Sequence, residues 1–298
     1  MSISSRLMVL DDGESRALVY PEQGFQLHGF EVGLDGGRRV AAIHGPPGPI
    51  EPADRRYGNP VLFPSVGLSH GAQSDSWDHD GRALLMQQHG WARDLYWQIE
   101  AADDRSVTGL LVPTNGMRAA FPFPFTLRLR YAVDRRTLAL DVTLANTGAV
   151  AFPYALGFHP YLRAPLAGGA RDSCRVNLPA GTRLESPDGW RTLTRSPAAA
   201  RTVLATDAEL PGSIVLAETG TRALEVEDPA ARLATRVSFE GSEQTFPVWV
   251  IWSAAPDAPY VCLEPWTDAP NALNRPTTRT IAAGQTHRYR MTISVRAT

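Results

Sequence analysis

The chain has 298 residues and a formal net charge of −2 at pH 7, with 43% hydrophobic and 20% charged residues, a balance that excludes a disordered chain. Without an excess of positive charge to neutralise a phosphate backbone, nucleic acid is not expected as a partner. All 29 cationic residues are Arg and none is Lys, which removes Schiff-base chemistry, pyridoxal phosphate attachment and a Walker A lysine.

The two cysteines, Cys174 and Cys262, lie far apart and in no CxxC arrangement. That spacing excludes a zinc ribbon or a redox motif and reads as two buried free thiols. The first fifteen residues hold no long apolar stretch and reach acidic residues quickly, so no signal peptide is expected. No apolar run approaches the ~18 residues needed to span a membrane. A soluble, cytoplasmic chain with no membrane partner is the expectation.

In chain order, residues 39–43 form the first apolar run with strand character, and Pro46, Pro47, Gly48 and Pro49 mark a surface loop. The glycine-bounded stretch 71–81 reads as a second loop, and strands are expected over 83–86 and 107–112. The clearest signal is central. Leu127, Leu129, Tyr131 and Val133 alternate with polar or small residues, and after Asp134-Arg135-Arg136 the alternation resumes at Leu138, Leu140, Val142 and Leu144. Period two on both sides of a short polar turn predicts a β-hairpin with one buried face. Shorter strands follow at 203–204, 214–216, 223–226, 248–252 and 260–263. Asp228-Pro229 opens a weak helical or turn-like stretch to Arg232. His287, Tyr289, Met291, Ile293 and Val295 line one face of a last antiparallel strand after Gly284. Helical periodicity is nearly absent, and no repeat or linker divides the chain. One all-β domain over residues 1–298 is predicted, a large antiparallel β-sandwich.

Three segments do not read as scaffold. Residues 87–94 crowd polar and aromatic groups at the end of an apolar run, with Gly90 directly after His89, as where a backbone turns or approaches something closely. In the second, His159 precedes Pro160, which restricts it to extended backbone. Gly157, two residues earlier, leaves room beside the imidazole. In the third, Glu264 ends the hydrophobic run Tyr260-Val261-Cys262-Leu263 and shares a strand face with Cys262. A carboxylate there must be paired, exposed or protonated, and burial or a charged neighbour would tune it as a base. Each histidine taken alone is more often structural than catalytic, and Glu264 alone is as readily one half of an ion pair. Trp91, Trp97, Tyr161 and Trp266 lie near these segments and could stack on a sugar ring, although aromatic residues are more often core.

At this point the chain resembles the aldose 1-epimerase (mutarotase) family. Four elements stand in the family's order: Gly58-Asn59-Pro60-Val61-Leu62-Phe63-Pro64-Ser65-Val66-Gly67, Gln88-His89-Gly90-Trp91-Ala92-Arg93, Gly157-Phe158-His159-Pro160-Tyr161 and Leu263-Glu264-Pro265-Trp266. The second and fourth look most like a bacterial aldose-epimerase-like branch. The resemblance implies a galactose mutarotase-like sandwich that interconverts the α and β anomers of a free aldose without metal or organic cofactor. It implies Glu264 as the base at the O1 hydroxyl, His159 as the acid at the ring oxygen, and His89 as a group that orients the sugar. Carboxylate on Glu264 and imidazolium on His159 would be the working forms. Asn59, Arg93, Tyr161, Trp266 and a later carboxylate, Asp207, are the implied sugar-binding residues. The implied partner is a small sugar, in a monomer or homodimer.

One departure stands out: the family commonly has Arg after the glycine of its first element, and here that position is Leu68. Leu cannot replace a forked donor set; His70, Arg55, Arg56 and Arg93 are the side chains available to compensate. Two alternatives follow. One is an epimerase of hexose 6-phosphates, with Arg55, Arg56 and Arg93 as the phosphate cluster. The other is a sugar-binding protein of the same fold without turnover.

Overall fold

The computed structural model describes residues 7–45, 57–240 and 245–298. Two large antiparallel sheets face each other. The larger runs, from edge to edge, through strands Arg201–Leu204, Arg175–Leu178, Ala223–Asp228, Leu233–Glu240, Thr286–Ala297, Thr137–Asn146, Phe125–Asp134, Ser106–Leu111 and Trp97–Ala102. The second runs through Thr194–Ala198, Gly181–Glu185, Ile214–Ala217, Val248–Trp252, Tyr260–Trp266, Gly157–Phe158 and Val61–Leu62, with Tyr161–Arg163 pairing beside Tyr260–Trp266. An N-terminal sheet of Met8–Asp11, Ser15–Tyr20, Gln26–Gly33 and Arg39–Ala41 packs against the same core. The all-β sandwich expected from the sequence is the fold.

The predicted hairpin is present as Phe125–Asp134 and Thr137–Asn146, in register from Phe125↔Asn146 to Asp134↔Thr137. Its alternation has a direct physical cause. Leu127, Leu129, Tyr131, Leu138, Leu140, Val142 and Leu144 point into the sandwich and are buried, each stabilising the fold by about 1.5–3 kcal/mol for a fully buried side chain. On the outer face, Arg128 pairs with Glu100 at 2.7 Å and Arg290 with Asp141 at 2.8 Å. From the second sheet, Trp249, Ile251, Val261 and Leu263 complete the core.

Some elements differ from expectation. Within 71–81, Ser76–His79 is a strand paired with Arg82–Leu85; its polar residues hid the pairing. Of the two readings of the stretch to Arg232, helical or turn-like, the turn is present: residues 229–232 close the hairpin Ala223–Asp228/Leu233–Glu240, with Asp228 Oδ1 accepting from the Ala231 N–H at 3.2 Å. One short α-helix, Asn115–Ala120, was not expected; the Thr114 hydroxyl caps it by accepting from the Met117 N–H at 3.2 Å. His287, given no role by the sequence, bonds through Nδ1 to the Tyr154 hydroxyl at 2.7 Å. The predicted loop at Pro46–Pro49, together with Arg55 and Arg56, lies outside the described residues.

The strands Val248–Trp252 and Tyr260–Trp266 carry apolar groups on both faces. Val261 and Leu263 enter the core between the sheets. Tyr260, Cys262, Glu264 and Trp266 share the opposite face, where Val248, Val250 and Val215 form a second apolar cluster. That outer face is the floor of a cleft.

Candidate active site

The cleft encloses about 1000 Å³ and is lined by residues from all three non-scaffold segments. His89, His159 and Glu264 meet on its floor although 70 and 105 positions separate them in sequence, with Trp266 beside them, and Gln88, Arg93, Tyr161 and Leu68 also line it.

Glu264 reaches its place because Val250↔Glu264 pairing fixes the strand register; a slip of one residue would turn the carboxyl into the apolar core. His159 is held by its backbone, whose N–H donates to Asn59 Oδ1 at 3.1 Å and to the Pro60 carbonyl at 3.2 Å. Asn59 therefore acts behind the histidine; it is fully buried and not among the cleft-lining residues. The His159 ring stacks on Tyr161, with centroids 4.7 Å apart and planes 13° from parallel. Trp252 meets its edge at 5.6 Å. His159 Nε2 lies 3.4 Å from Glu264 Oε1.

His89 sits in a left-handed backbone conformation at φ 66°, followed by Gly90 at φ 70°. For a non-glycine residue this is uncommon backbone. Here the Gly67 carbonyl accepts from the His89 N–H at 2.8 Å, and the Gly67 N–H donates back to His89 Nδ1 at 3.1 Å. An accepting Nδ1 leaves the proton of the neutral ring on Nε2. His89 is therefore a hydrogen-bond donor, 5.5 Å ring to ring from His159 and 5.6 Å from Trp266.

Gly157 has a different use from the one expected. A Cβ there would lie 2.6 Å from Cδ1 of Trp266 and 3.1 Å from Val66, so the missing side chain makes room for the indole of Trp266, not for the imidazole.

Burial dominates the electrostatics. It holds the His159 imidazole down to about 3, with the Arg93 charge acting the same way. Burial, His159 and Arg93, in that order, hold His89 well below its ordinary value. Burial raises Glu264 well above the usual carboxylate range, and the Trp266 indole opposes the rise from a position too loose for a hydrogen bond of good geometry. Both shifts favour protonated Glu264 beside a neutral His159 over the carboxylate–imidazolium pair. Both forms carry one proton and differ by a single transfer across the 3.4 Å gap.

Asp207, the sequence candidate for a later carboxylate, does not line the cleft; its Oδ1 accepts from the Glu209 N–H at 2.9 Å in a turn. Trp97 is core, stacked on Phe25, and Trp91 packs partly buried against the core. His70 is likewise not a lining residue. Lining residues that were not singled out from the sequence include His44, Tyr57, Trp190 and Trp252. For Trp252 a signal existed, since its strand was predicted and period two puts it on the face of Val248 and Val250. Trp190 projects from an irregular segment, with its N–H on the Ser186 hydroxyl at 2.6 Å and its carbonyl accepting from Asn271 at 3.1 Å, and no periodicity marks it.

Comparison with known proteins places the chain in a family and agrees with its fold. A family model described as aldose 1-epimerase matches residues 73–294. The chromosomal protein LacX of Lactococcus lactis subsp. lactis is 24% identical over 246 residues, covering 74% of this chain and 78% of that protein. Among solved structures, a galactose mutarotase related enzyme from Lactobacillus acidophilus superposes with a TM-score of 0.80 at 19% identity, covering 98% of both chains. A galactose mutarotase-like protein from Lactobacillus casei gives 0.79 at 21% identity, over 98% of this chain and 100% of that one. No helix among the described residues is long and apolar enough to cross a membrane.

Proposed function

The chain belongs to the aldose 1-epimerase family, and from that premise we propose that it interconverts the anomers of a free, uncharged aldose by acid–base ring opening. The observation that carries this reading is the His159–Glu264 pair: an imidazole and a carboxyl group 3.4 Å apart, buried on the floor of a cleft that aromatic side chains line. Mutarotation moves one proton off O1 and one proton onto O5. It needs an acid and a base that together hold a single proton, within hydrogen-bond reach of both oxygens.

The sugar's hydroxyls bring hydrogen bonds into a site that has excluded them, and these favour charged partners. On binding, the Glu264 proton passes to His159. The carboxylate then takes the O1 proton while the imidazolium protonates O5. The C1–O5 bond breaks to give the aldehyde, the C1–C2 bond rotates, and ring closure on the other face returns both protons. His89 donates from Nε2 to a sugar oxygen; Trp266, Tyr161 and Trp252 supply faces and edges for the C–H surface of the ring. Arg93 binds at the rim.

Among the described residues, the lining suits a neutral sugar better than a hexose 6-phosphate. Arg93 is the sole cationic side chain among the described lining residues, and it already donates to the Gln88 carbonyl at 2.8 Å. A phosphate calls for several such donors, and Leu68, half-buried in the wall, gives none. The test is anomer exchange by NMR with glucose, galactose and glucose 6-phosphate side by side. Exchange above the buffer rate on a neutral sugar supports the reading. A strong preference for glucose 6-phosphate would transfer it to the phosphorylated class. Sugar binding by calorimetry with no exchange would select a binding protein.

A further inference from the structure

Behind the acid–base pair lies a third group that the proposed reaction does not use. Cys262 shares the strand face of Glu264, two residues away, and is a fully buried free thiol. It is not among the residues that line the cleft. One ligand atom from each of His159, Cys262 and Glu264 lies within 4.8 Å of the others. Glu264 Oε2 and His159 Nδ1 are buried without a hydrogen-bond partner, so neither the carboxyl nor the imidazole has its polar capacity filled by the protein.

We propose that this triad binds a thiophilic divalent cation, zinc being the fitting case, and that the bound ion shuts the site. Zinc takes nitrogen, sulfur and carboxylate oxygen together, at about 2.0–2.3 Å, and is content with three protein ligands and one open position. Ligand atoms around such an ion stand roughly 3–4 Å apart, as the 3.4 Å separation of His159 Nε2 and Glu264 Oε1 already does. The thiol needs only a small side-chain movement to close the set. The open position faces the cleft. A hard ion such as magnesium prefers six oxygens and is excluded by the thiolate and imidazole.

The site is suited to reversible occupation and not to a resident metal. Histidines that hold permanent metals donate their second nitrogen to an acceptor, and Nδ1 of His159 meets none on a neighbouring residue. An ion there occupies both lone pairs that the proton shuttle needs, so metal binding and turnover exclude each other. Binding itself is independent of the function proposed above; only its effect on turnover rests on that reading.

The experiment is zinc titration of the full chain by calorimetry, with cobalt as a spectroscopic probe. Expected are one zinc ion per chain, a near-ultraviolet sulfur-to-cobalt band in the unaltered protein, and no magnesium binding. Zinc should abolish sugar exchange and a chelator should restore it. In Cys262→Ser, zinc affinity should drop by about tenfold or more, the cobalt band should vanish, and exchange without metal should persist. The cobalt band needs no variant, so a misfolded Cys262→Ser leaves the test intact. Equal zinc affinity in Cys262→Ser, absence of the band, or sugar exchange that continues at full zinc occupancy would overturn the proposal. If no sugar is exchanged at all, the function reading fails, and competition between zinc and sugar for binding decides the metal site.

Discussion

The strands Thr137–Asn146 and Tyr260–Trp266 show two ways of using the same backbone. The first divides its faces: Leu138, Leu140, Val142 and Leu144 face the core, while Asp141 on the other face is part-exposed and pairs with Arg130 and Arg290 across the sheet. The second is buried along its whole length. Its Val261 and Leu263 go to the core, and its other face presents Tyr260, Glu264 and Trp266 to a cleft, with Cys262 buried beneath. A one-sided strand needs only apolar groups to be stable. A two-sided strand that carries Glu264 holds a carboxyl out of water, which is unfavourable to the fold and is the condition under which an acid–base group becomes tunable. Stability concentrates on the first strand and chemistry on the second.

Substitutions on the two strands should therefore separate activity from stability. The largest effect is expected for His159→Ala, which should cut the exchange rate by about 10²–10⁴-fold with little change in the thermal midpoint. Parallel loss of folding would instead make His159 a structural residue. Next, Leu140→Ala in the one-sided strand should destabilise by about 2–5 kcal/mol in denaturant unfolding, while the folded fraction exchanges sugar at the unaltered rate. A lowered rate per folded molecule would show that the two faces are not separable.

Glu264→Gln sharpens the comparison from the other side. Above the ordinary glutamate range the unfolded chain sheds this proton freely, whereas burial makes the folded chain hold it. The native protein thus loses stability as pH rises from the ordinary value through the raised one. Glutamine has no such proton, so Glu264→Gln should melt higher than the native chain at neutral pH and match it in acid; a lower midpoint at neutral pH would contradict the assigned shift. The same groups shape activity. The pair keeps one proton from about 3, where His159 takes up a second, to the raised value of Glu264. The profile of kcat/KM should be flat through the mildly acidic range and fall on the alkaline side. An acid limb near the ordinary glutamate value, about 4.3, would contradict it. The smallest effect belongs to the outer face of the large sheet: Arg290→Ala removes half-exposed pairs to Asp141 and Glu240 and should cost about 1 kcal/mol or less with no change in exchange.

The same contrast explains what the sequence could and could not reveal. Period-two alternation makes Phe125–Asp134, Thr137–Asn146 and Thr286–Ala297 legible, since water on one face imposes the pattern. It fades where both faces are covered, and the short strands around Gly157–Phe158 and Val61–Leu62 leave no room for it. His89, His159 and Glu264 were visible as chemistry placed at the ends of apolar runs, and family order joined them. Their protonation was not visible, because burial sets it and burial belongs to the assembled cleft. Asp207 shows the opposite failure: an acidic residue before an apolar run is a common turn, and its carboxylate caps one. Trp190 sits at φ 72° in an irregular segment, where no repeating pattern marks a lining residue.

The most direct test of the central claim is anomer exchange followed by proton NMR on a neutral aldose, with the native chain and Glu264→Gln measured together at neutral pH. The account predicts exchange well above the buffer rate for the native chain and a loss of about 10²–10⁴-fold in a Glu264→Gln protein that is folded and no less stable. Exchange by Glu264→Gln at the native rate would contradict it, because the buried carboxyl would then have no part in moving the proton.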